Sequence, residues 1–192
     1  MSDNFTNFIN DMTKVVECCE KDGDRVLEAE RLVDQLIRTT DWLPEEKQAP
    51  DDGQYARHSL YRDPLDRFEV LALVWKPGQK TPLHDHDGTW GVEGVVKGRM
   101  RITNYLQLGT LPDNIVKLSY SGAVNVNEQS TGQLLPPADC HILEAIGEEN
   151  VVTIHVYGKQ LKSFKVFELV DEAQDLYKAH DHAVGYTIES ND

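Results

Sequence analysis

The sequence lacks any apolar run long enough to cross a membrane, and its first ten residues lack the basic start and apolar centre of a secretory signal. It also lacks a basic surplus: 33 acidic residues oppose 19 basic ones, for a formal net charge of −14. Such a chain should repel nucleic acid and anionic membranes. We therefore expect a cytoplasmic protein that binds neither nucleic acid nor membrane.

Cysteine is scarce as well, with three residues at Cys18, Cys19 and Cys140. A small, odd number without a secretory signal favours a reducing compartment over a disulfide framework. The 192 residues, 40% of them hydrophobic, are enough for one domain with a sizeable core.

Two N-terminal segments carry apolar residues at helical spacing. They are residues 3–20 and 26–37, and Asp22-Gly23-Asp24 breaks the pattern between them. The spacing predicts two amphipathic helices, which we expect to pack against the protein's own sheet. The turn-rich residues 41–53 predict a linker after them.

From Tyr55 onward the pattern changes to short β-prone runs separated by turn residues. The predicted strands are 56–61, 67–75, 89–96, 99–106, 116–120, 123–126, 142–145, 151–157 and 163–169. Many short strands without helices between them indicate an all-β sandwich or small barrel. Both alternate faces of the 67–75 run are apolar, so we expect that strand to be buried on both sides.

The C-terminal residues are acidic and mixed in character, with a predicted short helix at 172–178. We therefore divide the chain into three parts. Residues 1–53 are a helical appendage and linker, 54–169 a barrel with the functional site, and 170–192 a tail packed on the barrel.

His84 and His86, which are separated by a single residue, are the first side chains that suggest a functional site. In a β segment they would project from the same face and offer two imidazoles to a metal ion. His141 follows a Pro-Pro turn at the start of a later strand, 55 residues after His86. Imidazole ligands suit Zn, Cu, Ni or Fe, so the residues alone do not select one metal.

A second His-x-His pair, His180 and His182, lies in the polar C-terminal part of the chain. It lacks the β context of the first pair. We expect it to bind no metal.

The spacing of the first pair resembles the cupin motifs. Five residues separate Gly78 from His84, and the segment from Pro136 to His141 resembles the second motif, with Ala138 in place of a glycine. The resemblance implies a mainly β jelly-roll barrel, with the two N-terminal helices packed on it.

One departure from most cupins concerns the carboxylate ligand. Trp90 and Gly91 occupy the place where it usually stands, and Glu93 comes later, out of phase with His86. We therefore expect a site of three histidines without a carboxylate.

Cupins with three histidines resemble the cysteine dioxygenase (thiol dioxygenase) family, and two further motifs extend the resemblance over residues 54–168. Tyr55-Ala-Arg57 matches the family's Tyr-x-Arg, and residues 153–157 match its Ser-x-His-x-Tyr strand. The resemblance implies an Fe(II) cofactor and assigns a role to each residue. The metal ligands are His84, His86 and His141; Arg57, Tyr55 and Tyr157 bind substrate; and Tyr157, His155 and Arg57 take part in catalysis.

In that family Arg57 would bind the substrate carboxylate, Tyr157 would place its hydroxyl over the metal, and His155 would hydrogen-bond to Tyr157. Mammalian members link a cysteine to the tyrosine, but Gly91 stands at that place here, so Tyr157 should be unmodified.

The resemblance implies that O2 converts a small thiol carboxylate, L-cysteine, to its sulfinate. Arg57 favours cysteine because relatives that act on 3-mercaptopropionate usually carry Gln there. Two alternatives stay open: a dioxygenase for 3-mercaptopropionate or mercaptosuccinate, and a cupin that binds a metal or anion without turnover. We expect a monomer or weak homo-oligomer.

Overall fold

The computed structural model describes residues 2–187, in which two α-helices precede ten β-strands. The helices are α1 (Asp3–Cys18) and α2 (Asp22–Ile37). The strands are β1 (Ala56–Arg62), β2 (Glu69–Trp75), β3 (Gly91–Lys97), β4 (Arg99–Leu111), β5 (Ile115–Asn127), β6 (Thr131–Leu134), β7 (Cys140–Ala145), β8 (Val151–Tyr157), β9 (Ser163–Asp171) and β10 (Leu176–Ala183).

The strands form two antiparallel five-stranded sheets. The first has the order β1-β2-β8-β3-β6, and the second β7-β4-β5-β10-β9. The mainly β prediction is confirmed. Because β7 and β8 follow each other in sequence but lie in different sheets, residues at their ends can meet across the barrel.

Strand β2 is buried on both faces, as its double apolar pattern predicts. Val70, Ala72 and Val74 belong to the core beneath the helices. The alternate residues, from Leu71 to Trp75, belong to the core between the sheets. Because successive side chains point to opposite faces, this one strand packs against the helices on one side and against the barrel interior on the other.

The two helices bury their apolar faces against the outer face of the first sheet. Met12 and Val33 are fully buried, in one cluster with Ile154 of β8. The predicted break at residues 22–24 is wrong, because α2 begins at Asp22 and these residues form its first turn. Acidic side chains favour that position, where the helix N-terminus is partially positive. No helix within residues 2–187 has the length and apolarity needed to span a membrane.

The helix predicted at residues 172–178 is wrong. Only a short 3-10 turn, Glu172–Gln174, forms, because the Asp171 carboxylate accepts hydrogen bonds from the N–H groups of Ala173 and Gln174. Asp175 then adopts a left-handed conformation (φ 56°), and the chain returns as β10 between β5 and β9.

Two further strand predictions differ from the structure. The runs 116–120 and 123–126 form the single strand β5, whose register shifts near Gly122 (φ 124°). Strand β6 was not predicted, since its four residues carry little apolar pattern.

The contact between α2 and β3 depends on a glycine, which gives a test of the helical layer. A Cβ atom at Gly94 would lie 2.9 Å from Val33 Cγ1 and 3.1 Å from Ile154 Cγ2. We expect Gly94→Ala to lower the free energy of unfolding by about 1–3 kcal/mol through overpacking, measured by urea denaturation. Gly132→Ala is the control, since its added methyl group meets no atom within 4 Å. Equal effects of the two substitutions would contradict this account.

Candidate metal centre

Three histidines from separate parts of the chain converge in the barrel. One nitrogen each of His84, His86 and His141 can be chosen so that all three lie within 4.8 Å of one another. The rings are 4.8–5.0 Å apart between centroids, and all three side chains are buried. The sequence prediction that these three meet is confirmed.

Main-chain pairing produces this convergence. His84 N–H donates to His141 O and His141 N–H to His84 O, both at 3.1 Å. His84 also bridges to Val166 of β9, so it joins β7 and β9 as a strand one residue long. The expectation of a regular strand through His84 and His86 is wrong. Just after His86 the chain turns through Asp87 (φ 53°), which ends the extended segment.

A hydrogen bond orients the ring of His84, and a carboxylate lies beside the ring of His86. His84 Nδ1 lies 3.1 Å from Pro82 O, so it carries the ring proton and leaves Nε2 as the free lone pair. His86 Nδ1 lies 3.5 Å from Asp139 Oδ2, and the same carboxylate accepts the His86 main-chain N–H at 3.3 Å. Asp139 was not predicted from the sequence. Carboxylates beside metal-binding histidines commonly fix ring orientation in this way.

The remaining ring nitrogens fit a metal ion. Nε2 of His86 and Nε2 of His141 are buried and have no hydrogen-bond partner among residues 2–187. Buried polar atoms rarely stay unsatisfied, and a cation shared by the three rings would satisfy them. The donor set fits Fe, Zn, Ni or Cu.

Burial also keeps the rings in their metal-binding form. It lowers the pKa of His84 well below its usual value, and His141 and His86 lower it further. Burial lowers the pKa of His141 to about 4, with Glu93 opposing the shift. Both rings are therefore neutral near pH 7, the form in which imidazole coordinates a metal.

The clustered group contains the three predicted histidines, but the predicted phase of Glu93 is wrong, because its carboxylate approaches them. Glu93 is 9% exposed, and its Oε1 lies 3.7 Å from His141 Nε2 and 2.9 Å from His155 Nδ1. Within the described part of the chain this oxygen makes no hydrogen bond. Burial alone would raise the pKa of Glu93. The neighbouring imidazoles of His141 and His155 have the larger combined effect and lower it below its usual value. The sequence argument failed because it continued the phase of His86 through the turn that separates it from β3.

A hydrogen-bond chain along β8 leads to Tyr157. The Trp75 indole can only donate, so Thr153 Oγ1 accepts from Nε1 at 3.0 Å. We assign the Thr153 proton to the bond with His155 Nε2, 2.8 Å away. The ring proton then lies on His155 Nδ1 and is donated to Tyr157 Oη at 3.0 Å. This leaves the phenol proton of Tyr157 free for another acceptor.

Tyr157 lies beside the histidines. Its ring stacks on that of His86 at 5.4 Å between centroids. Burial raises the pKa of Tyr157 well above its usual value, and Glu93 raises it further, so the phenol stays protonated. A Cβ atom at Gly91 would lie 2.9 Å from Tyr157 Cδ1, so the ring fills the space that a side chain would need.

Arg57 lies near Tyr157, with Cζ 6.0 Å from the Tyr157 ring centroid. The side chain is 7% exposed, and Nε and Nη2 have no hydrogen-bond partner within residues 2–187. Arg57 lines a cavity of about 190 Å³. Other residues around this cavity are Tyr55, Phe164, His182, Tyr186 and Thr187.

Tyr55 faces the same cavity, and its ring stacks on Trp75 at 4.2 Å. Burial raises its pKa, and Arg57 opposes the shift. Tyr55 therefore combines a packing contact with a neutral hydroxyl near the guanidinium.

Within residues 2–187, the second His-x-His pair lies apart from the group formed by His84, His86 and His141. His180 pairs with Glu168 at 3.3 Å on the exposed side of β10. His182 differs, because it packs on Phe164 at 5.1 Å and lines the Arg57 cavity. The expectation that this pair lacks β context was wrong.

No protein-family model matches the chain. Among solved structures, an uncharacterized conserved protein with a double-stranded beta-helix domain from Klebsiella pneumoniae subsp. pneumoniae is similar, with a TM-score of 0.50 and 16% identity over 67% of this chain and 92% of that chain. The chain has the cupin fold. The predicted fold class, including the two N-terminal helices, is thereby confirmed.

Two weaker similarities carry cupin names. The cupin domain of Schizosaccharomyces pombe Cnp3 has a TM-score of 0.41 and 13% identity over 55% of this chain and 64% of that chain, just under two thirds of its length. A Cupin 2 conserved barrel domain protein from Salinispora arenicola has a TM-score of 0.44 and 15% identity over 62% and 88% of the two chains. Independently of these similarities, the structure holds a buried three-histidine site that could bind a metal ion.

The metal site can be tested by removing one imidazole. We expect His141→Ala to weaken Fe(II) or Zn(II) binding by more than about 100-fold, the upper range for losing an outer partner of a ligand. Calorimetry and metal analysis after dialysis would measure it. His180→Ala is the matched control and should bind one metal per chain as the wild type does. Normal binding by His141→Ala would refute the site.

Proposed function

We propose that the protein is a non-haem Fe(II) thiol dioxygenase that adds O2 to the sulfur of a small thiol carboxylate, converting L-cysteine to cysteine sulfinate. The observation that carries the proposal is the buried, unpaired edge of Arg57, whose guanidinium carbon lies 6.0 Å from the Tyr157 ring centroid, while the same ring stacks on His86 of the metal centre. A substrate bound beside Tyr157 would meet a metal at one end and a guanidinium at the other.

The free edge of Arg57 suits a carboxylate. Nε and Nη2 lie on the same side of the guanidinium and can donate two parallel hydrogen bonds to one carboxylate. A buried cation without a partner is costly. An anion in the adjoining cavity would remove this cost, and its second contact would fix its orientation.

Tyr157 supports the reaction as a positioned donor. Its hydroxyl accepts the His155 Nδ1 proton, so its own proton is available on the side of the histidines. In a buried site such a bond is worth more than in water. Tyr157 would donate it to the substrate sulfur or to oxygen.

The reaction needs no reductant. In R–SH + O2 → R–SO2H the sulfur loses four electrons, O2 accepts them, and both oxygen atoms end on sulfur. When bound by the three histidines, Fe(II) would supply the redox chemistry. The protein's own part is to anchor the carboxylate through Arg57 and Tyr55 and to hold Tyr157 in place.

Arg57→Gln tests the carboxylate anchor. We expect kcat/KM for L-cysteine to fall by about 100-fold, as for loss of a charge-assisted pair, and turnover of 2-aminoethanethiol, which lacks the carboxylate, to stay unchanged. Oxygen uptake by the iron-loaded protein would measure both, with 3-mercaptopropionate and mercaptosuccinate in the same panel. Arg101→Gln, on the exposed face of β4, is the control. Equal losses of activity with L-cysteine and 2-aminoethanethiol would contradict the proposed role of Arg57 as carboxylate anchor.

A second candidate function is metal or anion binding without turnover, and Glu93 favours it. Its Oε1, 3.7 Å from His141 Nε2, is close enough that a small shift would bring both atoms onto one ion. A carboxylate ligand would occupy a position that the thiol or O2 needs.

Glu93→Gln separates the two candidates. For the dioxygenase, Glu93 stays outside the coordination sphere, so we expect the Fe(II) dissociation constant to rise by no more than about tenfold and thiol-dependent oxygen uptake to persist. Glu144→Gln, on β7 but away from the three histidines, is the control. Loss of metal from Glu93→Gln, together with no oxygen uptake by the iron-loaded wild type, would favour the binding protein.

A further inference from the structure

The chain that follows β10 closes one side of the Arg57 cavity. We call residues 184–187 the C-terminal strap. Val184 N–H donates to Lys162 O at 3.0 Å, and Thr187 N–H donates to Arg57 O at 2.8 Å. The strap therefore joins β1 to the loop before β9, and all four of its residues line the cavity.

Tyr186 is the anchored residue of the strap. Its hydroxyl lies 2.9 and 3.2 Å from the two carboxylate oxygens of Glu69. Glu69 is fully buried and also accepts a hydrogen bond from Arg62 Nε at 3.0 Å. A tyrosine held at its hydroxyl by a buried carboxylate has its ring position fixed as well.

Two arginines lie near the ring of Tyr186. The guanidinium carbon of Arg62 is 4.6 Å from the ring centroid, and that of Arg57 is 5.7 Å from it. The guanidinium carbon of Arg57 also lies 6.0 Å from the Tyr157 ring centroid. The Arg57 main-chain N–H donates to Thr187 Oγ1 at 3.1 Å. The strap thus contacts both the main chain and the side chain of Arg57.

Aromatic contact differs from an acidic partner in one respect that matters here. A carboxylate beside Arg57 would occupy its N–H donors and compete with an anionic ligand. An aromatic face attracts the cation without using those donors, so Nε and Nη2 keep their bonding capacity.

We propose that Tyr186 is a positioning residue that holds the guanidinium of Arg57 ready for the substrate carboxylate, and that the C-terminal strap completes this half of the binding site. The proposal rests on the proposed function in one respect, since it takes Arg57 as the carboxylate anchor. It does not require that the bound thiol be oxidised.

The test compares thiols with and without a carboxylate. For iron-loaded Tyr186→Leu we expect KM for L-cysteine to rise about tenfold, the effect of losing a desolvated cation–π contact, while kcat stays near that of the wild type. KM for 2-aminoethanethiol should not change. Tyr186→Phe keeps the ring and should retain most of the affinity. Tyr120→Leu, which removes a largely exposed tyrosine, is the control.

A second readout separates this proposal from the oxidation chemistry. Zinc-loaded protein should bind L-cysteine more tightly than 2-aminoethanethiol in calorimetry, and Tyr186→Leu should reduce that preference about tenfold. This result would support the positioning role even if the iron-loaded wild type oxidised no thiol. Unchanged preference in Tyr186→Leu, or equal weakening of both thiols, would overturn it.

Discussion

The exchange of main-chain hydrogen bonds between His84 and His141 is the constraint on which the site depends. It holds His84, in the loop between β2 and β3, directly beside His141 at the start of β7. Because both residues are ligands, the bonds that hold the barrel edge together also set the distance between two imidazoles. His86 then needs only the turn at Asp87 and the contact with Asp139 to complete the group.

Electrostatics explain why this buried centre favours a positively charged ligand. The imidazoles of His84 and His141 are neutral near pH 7, and the carboxylates of Asp139 and Glu93 lie close to His86 and His141. The region therefore favours a cation.

The sequence predicted the features that depend on local pattern. Alternation located most strands, the double apolar pattern identified β2 as buried on both sides, and the spacing of His84, His86 and His141 predicted their convergence. It failed where position depends on a turn. Glu93 was assigned the wrong phase because the turn after His86 resets the alternation. Strand β10 was missed because its second half is polar and exposed and shows no apolar alternation, even though it forms a hairpin with the preceding strand β9.

Arg57 is distinguished from the other arginines near it by its lack of an acidic partner. Arg62 pairs with buried Glu69, and Arg67 pairs with buried Asp63. In a chain with a net charge of −14, a carboxylate for Arg57 would be easy to supply. Among residues 2–187, however, its Nε and Nη2 bond to nothing, and two aromatic rings lie beside it instead. Such an arrangement supports the proposed carboxylate anchor, because an anion that entered the cavity would neutralise the charge.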